Sequence, residues 1–286
     1  MNIKFAKMQG SGNDFMLING IAYPILPSLN EKLIRQWSDR RAGIGFDQLL
    51  IIDNPSSADV DFDYRIFNAD GSETAQCGNG ARCVAHFVTT QGLTDKKTIR
   101  LRTLERVIEI TMQDDNRIAV DMGGAVFEPE RIPFDPTVLT AVGEQIEKKL
   151  YSVDIANREL CFSALSFGNP HAVIRVDDIK TAAVAEVGAT LQAHRCFPES
   201  VNVSFVEVRD DVLYVRVYER GVGETQACGS GACAVASVAR LQAWISQALC
   251  TVSVRLTGGL LEVQFDKDRV KLIGPAELVY EGRIEV

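Results

Sequence analysis

The sequence predicts an α+β protein built as two pseudo-symmetric duplicated domains, each a mixed β-sheet enclosing one buried α-helix. Three observations lead there. Glu73-Thr74-Ala75-Gln76-Cys77-Gly78-Asn79-Gly80-Ala81-Arg82-Cys83 is echoed by Glu224-Thr225-Gln226-Ala227-Cys228-Gly229-Ser230-Gly231-Ala232-Cys233, a shift of 151 residues that lays Cys77 on Cys228. Two further matches run in the same order: Gly12-Asn13 before Phe15-Met16-Leu17-Ile18 with Gly168-Asn169 before His171-Ala172-Val173-Ile174, and Gln48-Leu49-Leu50-Ile51-Ile52 with Asn202-Val203-Ser204-Phe205-Val206. Their shifts, 156 and 154, differ only by small insertions, as expected of a duplicated domain. Finally, a helix pattern that is apolar or small on most faces follows each cysteine, and such a helix belongs inside a fold.

In chain order, residues 3 to 18 read as a strand, a turn at Gly10-Ser11-Gly12-Asn13-Asp14 and a second apolar strand. Residues 29 to 41 place Leu33, Ile34 and Trp37 among polar residues after a Ser28 or Asn30 cap, which fits a surface helix. Gly43-Ile44-Gly45-Phe46-Asp47-Gln48 leads into the buried-strand run 49 to 52. From 60 to 67, Val60, Phe62, Tyr64 and Ile66 alternate with Asp61, Asp63 and Arg65, so one face is apolar, and the strand delivers Asn68 and the Ala69-Asp70-Gly71 turn to the first motif. Helices follow at 81 to 90 and 232 to 241. Strand-like segments come after each, at 98 to 102, 106 to 112 and 117 to 121, then at 251 to 256, 260 to 265 and 269 to 273. The Pro-punctuated stretch 127 to 133 marks the domain boundary, giving domains 1–128 and 129–274.

Composition narrows the function. The 286 residues are 46% hydrophobic and carry a formal charge of −8 with no Lys/Arg block, so nucleic acid and anionic lipid are excluded as partners. No signal peptide or membrane-length apolar run is present, and a soluble cytoplasmic protein is expected. Seven cysteines in a chain of this size predict reduced thiols; Cys83 and Cys233 fall inside the two helices and, with Cys161, Cys196 and Cys250, are expected in the core. The Gly-rich turns form neither a dinucleotide fingerprint nor a phosphate loop, so no cofactor is implied.

A cysteine just before Gly-X-Gly at a helix start lies where backbone N–H groups converge on an anion and where the helix field lowers a thiol's pKa toward neutrality. If two such thiols approach one ligand from opposite sides, with its carboxylate on both helix N-termini, one thiolate removes a proton from one face and one thiol returns it on the other. That is racemisation or epimerisation next to a carboxylate. A metal site is the rival reading, although the spacings Cys77 to Cys83 and Cys228 to Cys233 are not those of tetrahedral zinc knuckles. Glu219-Arg220 replaces Asn68-Ala69 in the repeat, which suggests a charged ligand group read by one half only.

These segments resemble the diaminopimelate epimerase family along essentially the whole chain. The resemblance rests on 7 to 15, Gly45-Phe46-Asp47-Gln48, Phe67-Asn68-Ala69-Asp70-Gly71-Ser72, Gln76-Cys77-Gly78-Asn79-Gly80, Gly168-Asn169-Pro170-His171, Phe197-Pro198-Glu199 with Asn202, Tyr218-Glu219-Arg220-Gly221, and the second cysteine motif. It implies sheets curled into barrels around their helices, an active site in the interdomain cleft, and return of 275–286 to the first domain. It also implies a cofactor-independent homodimer that interconverts LL- and meso-diaminopimelate for lysine and peptidoglycan precursors. In that reading Cys77 and Cys228 are the acid/base pair, Cys228 taking the proton from the LL form. His171 and Glu219 tune them, and the amides of Gly78, Asn79, Gly229 and Ser230 hold the reacting carboxylate. Asn13, Gln48, Asn68, Asn169, Asn202, Glu219 and Arg220 read the distal centre. Arg106 stands where that family leads one to expect a turn glycine. Proline racemases and hydroxyproline epimerases, or a non-catalytic binder on the same scaffold, are the alternatives.

Overall fold

A computed structural model describes residues 2–74, 78–139, 149–155 and 158–285. Contacts divide the chain into two compact units, Met1–Asp121 with Ile273–Val286, and Met122–Leu272.

In the first unit the elements run β1 (Asn2–Gly10), β2 (Asn13–Asn19), α1 (Glu31–Ser38), β3 (Gln48–Asp53), β4 (Phe62–Asn68), β5 (Glu73–Thr74), α2 (Gly78–Thr90), β6 (Thr98–Arg102), β7 (Val107–Met112) and β8 (Ile118–Gly123). The second unit runs β9 (Tyr151–Ile155), β10 (Arg158–Ser166), β11 (Pro170–Arg175), α3 (Val184–Gln192), β12 (Asn202–Arg209), β13 (Val212–Glu219), β14 (Gly223–Thr225), α4 (Gly229–Leu241), β15 (Thr251–Leu256), β16 (Gly259–Asp266) and β17 (Arg269–Gly274). A last strand, β18 (Glu277–Glu285), pairs antiparallel with β1.

The duplication holds at the level of register. In one unit Phe15 on β2 pairs in parallel with Gln48 on β3, and in the other His171 on β11 pairs in parallel with Asn202 on β12. Each then continues into an antiparallel neighbour, β4 or β13, which carries a short hairpin partner: Ile66 faces Thr74, and Val217 faces Thr225. Both next strands are parallel, with Phe62 opposite Leu101 and Leu213 opposite Val254. The parallel joints need crossovers: α1 and α3 lie in those of β2–β3 and β11–β12, and α2 and α4 in those of β4–β6 and β13–β15.

Two layers cover each sheet. Ile34 and Trp37 of α1 pack on Met16, Ile18, Leu49 and Ile51, while α2 lies against β1, β2, β3 and β7. With both faces covered, β3 buries Leu49 through Ile52 without alternation, as a two-sided strand must. Asn30 caps α1, its Oδ1 accepting from Leu33 N at 3.0 Å. In the second unit α4 is enclosed by β10, β11, β12, β13, β15 and β16, and every residue from Gly231 to Ala239 is buried.

One sequence expectation is corrected. Cys161 and Cys250 are exposed, although Cys83, Cys196 and Cys233 are buried as expected. Cys161 follows the partly covered Leu160 and precedes the fully buried Phe162, so strand alternation turns it outward. At 103 to 106 the turn closes without a glycine: Thr103 and Arg106 exchange backbone and hydroxyl hydrogen bonds of 2.8 to 3.2 Å, and Arg106 keeps a negative φ. Among the described residues no helix is long and apolar enough to cross a membrane.

Candidate active site

Each unit gathers its own part of the site at the strand ends beside its inner helix. Cys77 and the two residues before it lie outside the described residues, so the first-unit site is seen from Gly78 onward.

In the first unit, Asn13 opens β2, Gln48 opens β3 and Asn68 ends β4, where the register sets Gln48 opposite Asn68. Gln48 Nε2 donates to Asn68 Oδ1 at 2.9 Å, and Asn13 Nδ2 donates to Asp47 Oδ2 at 2.6 Å. Gly78 and Asn79 start α2, whose first-turn N–H groups have no earlier helical carbonyl to bond. Arg82 is fully buried one turn on. Its guanidinium donates to Asn79 Oδ1 at 3.0 Å, to the Pro275 carbonyl at 3.0 Å and to Ser11 Oγ at 3.4 Å.

The second unit places Cys228 as the N-cap of α4, with extended backbone and its carbonyl accepting from Ala232 N at 2.9 Å. Gly231 leaves room for the sulfur: a Cβ there would lie 3.4 Å from Cys228 Sγ and 3.3 Å from Ser204 Oγ. Glu219, at the end of β13, accepts a hydrogen bond from the thiol and one of 2.5 Å from Thr225 Oγ1. Ser230 Oγ lies 3.6 Å from the same Sγ. Behind Ser230 runs a chain of polar groups: Asn169 Nδ2 donates to Ser230 Oγ at 3.4 Å, and His171 Nε2 lies 3.1 Å from Asn169 Oδ1. Because that oxygen only accepts, the contact assigns the His171 proton to Nε2. Nδ1 of His171 is buried and has no hydrogen-bond partner among the described residues. Asn202 donates to the Pro170 carbonyl at 3.2 Å and accepts from Arg220 N at 2.9 Å, anchoring the backbone of Arg220.

The electrostatics correct one expectation. The Cys228 thiol is pushed well above its ordinary range, not lowered toward neutrality. Burial is the largest cause; the Glu219 charge and the hydrogen bond it accepts from the thiol add to it, and only Ser230 and the Gly231 N–H oppose it. Desolvation by the protein outweighs the field of one helix end. His171 is held neutral, its pKa pulled down to about 3 by complete burial and then by Arg220.

All second-unit residues anticipated from sequence, Cys228, Asn169, His171, Asn202, Glu219, Arg220, Gly229 and Ser230, thus converge on one strand-end and helix-start corner. Sequence reading missed their supports. Thr225 sits inside the duplicated motif, and its hydroxyl serves Glu219. Asp47 lies in Gly45-Phe46-Asp47-Gln48 and carries Asn13. Behind it, Arg40 bonds Asp14 and Asp47 at 2.7 to 2.9 Å, and the buried Lys7 bonds Asp14 at 2.5 Å and the Gly45 carbonyl. Burial alone would raise Asp14, but Arg40 and Lys7 together hold it at about 2.

Comparison with known proteins gives a consistent result. The family model described as diaminopimelate epimerase matches residues 5–128 and 163–279. The chain is 46% identical over 291 residues to the diaminopimelate epimerase of Ectopseudomonas mendocina and 47% identical over 289 residues to that of Azotobacter vinelandii, covering 100% of both chains in each case. Among solved structures, a hydroxyproline epimerase from Agrobacterium vitis superposes with a TM-score of 0.69 at 13% identity, covering 99% of this chain and 92% of the other. A phenazine biosynthesis protein of Bacillus anthracis superposes with a TM-score of 0.67 at 14% identity over 100% of both chains. At such low identity these structures share the fold alone.

Proposed function

This chain belongs to the diaminopimelate epimerase family and is an isomerase, and we propose that it interconverts LL- and meso-diaminopimelate through Cys77 and Cys228. The observation that carries this reading is the surroundings of Cys228. An acceptor, Glu219, and a hydroxyl that can donate, Ser230, both hydrogen-bond one buried sulfur at the start of a helix, so the thiol and thiolate forms each have a partner.

In the LL direction Glu219 takes the Cys228 proton. The thiolate left behind is hydrogen-bonded by Ser230 and the Gly231 N–H and removes the α-proton. Cys77 donates from the opposite face. Once the product leaves, Glu219 gives its proton up to solvent as the Cys77 thiolate regains one, which restores both thiols. The carbanion's charge spreads into the carboxylate, which the first-turn amides of Gly78, Asn79, Gly229 and Ser230 stabilise. In the reverse direction Cys228 is the acid and Cys77 the base. The raised pKa of Cys228 suits both directions: the resting group holds its proton to give, and once deprotonated it is a stronger base toward a weakly acidic C–H than an ordinary thiolate. Asn13, Gln48, Asn68, Asn169, Asn202, Glu219 and Arg220 select the distal centre, where an unmatched polar group is costly. We assign the enzyme to the cytoplasm and to a homodimer, for which β18 leaves Leu278, Val279 and Tyr280 exposed.

The test is deuterium incorporation from solvent. Incubation in deuterium oxide is expected to label the α-position of LL- and meso-diaminopimelate and to leave proline unlabelled. Cys77→Ala and Cys228→Ala are each expected to abolish epimerisation. Normal turnover by either variant rejects the two-thiol mechanism, and labelling of proline alone rejects the substrate.

A further inference from the structure

Two hydrogen-bond relays in the first unit run in the same sense, and each begins at a carboxylate. Asp47 Oδ2 accepts from Asn13 Nδ2 at 2.6 Å. A carboxylate only accepts, so Asn13 must present its NH2 to Asp47, which turns its carbonyl oxygen the other way. Arg40 braces Asp47 from behind with a 2.7 Å ion pair, and the Asp14 N–H donates to the same Oδ2 that Asn13 uses, at 3.2 Å.

The second relay is longer. Asp70 Oδ1 accepts from Ser72 Oγ at 2.6 Å, and this hydrogen bond is the first of the causes holding Asp70 below the usual carboxylate range. Having given its proton, the Ser72 hydroxyl accepts from Asn68 Nδ2 at 3.1 Å. Asn68 Oδ1 then accepts from Gln48 Nε2 at 2.9 Å. The chain ends on Gln48 Oε1, which is buried and has no hydrogen-bond partner among the described residues. A buried amide oxygen in that condition costs roughly 1–3 kcal/mol unless something else satisfies it.

We propose that Asp47 and Asp70 are positioning residues that fix the polarity of Asn13 and Gln48, so that this corner of the first unit offers amide oxygens to an ammonium group of the substrate. Reversal of either amide would put its NH2 toward the ligand and repel that group. The two carboxylates set the direction without touching the substrate, and Ser72 and Asn68 carry the Asp70 setting across the strand. The proposal rests on Asn13 and Gln48 being substrate readers, as assigned above.

A double-mutant cycle on the full-length enzyme separates positioning from general support. Asn13→Ala is expected to raise KM about tenfold, the order of one hydrogen bond to a charged group, with kcat little changed. Asp47→Ala is expected to do the same, and the double variant to be no worse than Asn13→Ala alone. Asp47→Asn keeps an oxygen that can accept, so it recovers part of the loss and serves if the alanine variant unfolds. Ser72→Ala is likewise expected to raise KM in the wild type and not in a Gln48→Ala background. Equal losses from Asp47→Ala whether or not Asn13 is present, or a loss carried by kcat, overturn the proposal. An unchanged KM in Asn13→Ala instead removes the assignment of Asn13 on which it stands.

Discussion

His171 occupies in the second unit the position that Phe15 occupies in the first. Each is fully buried, and each pairs across a parallel strand joint with the amide residue that opens the next strand, Asn202 or Gln48. The same backbone slot therefore accepts an aromatic ring with or without nitrogen, and the imidazole is a chemical choice by one half only.

That relationship gives a pH test. The folded His171 titrates near 3 and the unfolded one near 6.5, so between these values the unfolded chain binds a proton that the folded chain does not. Stability then falls as the pH drops, by up to about 1.4 kcal/mol per pH unit. His171→Phe is expected to fold and to flatten this acid limb in urea titrations run from pH 6.5 to 4, while epimerisation falls at least about tenfold through loss of the hydrogen bond to Asn169. An acid limb identical to wild type shows that His171 is not the group held neutral.

Glu219 raises Cys228 both by its charge and by the hydrogen bond it accepts. Glu219→Gln keeps an acceptor oxygen and removes the charge, so the thiol is expected to titrate lower. Labelling of Cys228 by iodoacetamide, followed by peptide mass spectrometry, should have its midpoint at lower pH than in the wild type even as turnover is lost. A midpoint that stays put or rises contradicts the assigned cause.

Gly188 lies inside α3, where alanine normally gains about 1 kcal/mol of helix propensity. Here an added Cβ would sit 2.6 Å from Cγ of Tyr218, on the strand that carries Glu219. Overpacking of this kind costs about 1–3 kcal/mol and outweighs the gain. Gly188→Ala is expected to lower the urea midpoint; a rise shows that Tyr218 moves aside freely.

The duplicated motif also repeats an ion pair. Arg65 grips Glu73 with two nitrogens, and Arg216 grips Glu224 in the same way at 2.6 and 2.9 Å. These side chains are about a quarter to two-fifths exposed, which places each pair at no more than about 1 kcal/mol. Glu224→Gln is expected to cost stability within that limit and to leave KM unchanged. A large KM effect reassigns Glu224 to the substrate.

The repeat was legible because both copies keep their strand lengths: collinear shifts of 151, 154 and 156 place Asn68 on Glu219 and Gln48 on Asn202, and the register follows the same frame, with Leu49 opposite Phe67 in one unit and Val203 opposite Tyr218 in the other. The helix α3 was not legible. Its buried Val184, Gly188 and Leu191 have helical spacing, but Gly188 and the alanines around it blur the apolar stripe. The rise of the Cys228 thiol was hidden too, since it comes from burial, a property of packing that the helix-start pattern does not encode. Asp47 and Thr225 were in plain view within recognised motifs; their roles depend on which side-chain atom meets which, and only coordinates supply that.

The carbonyl of Pro275 accepts from buried Arg82, and β18 closes on β1. Residues separated from Arg82 by the whole second unit thus complete the surroundings of the first helix. During synthesis the half made first is finished last: α2 cannot reach its final environment until the residues after 273 have left the ribosome. A nascent chain stalled anywhere in the second half carries an unfinished first half, so a competent pair of sites arises only once the chain has come back to its own beginning.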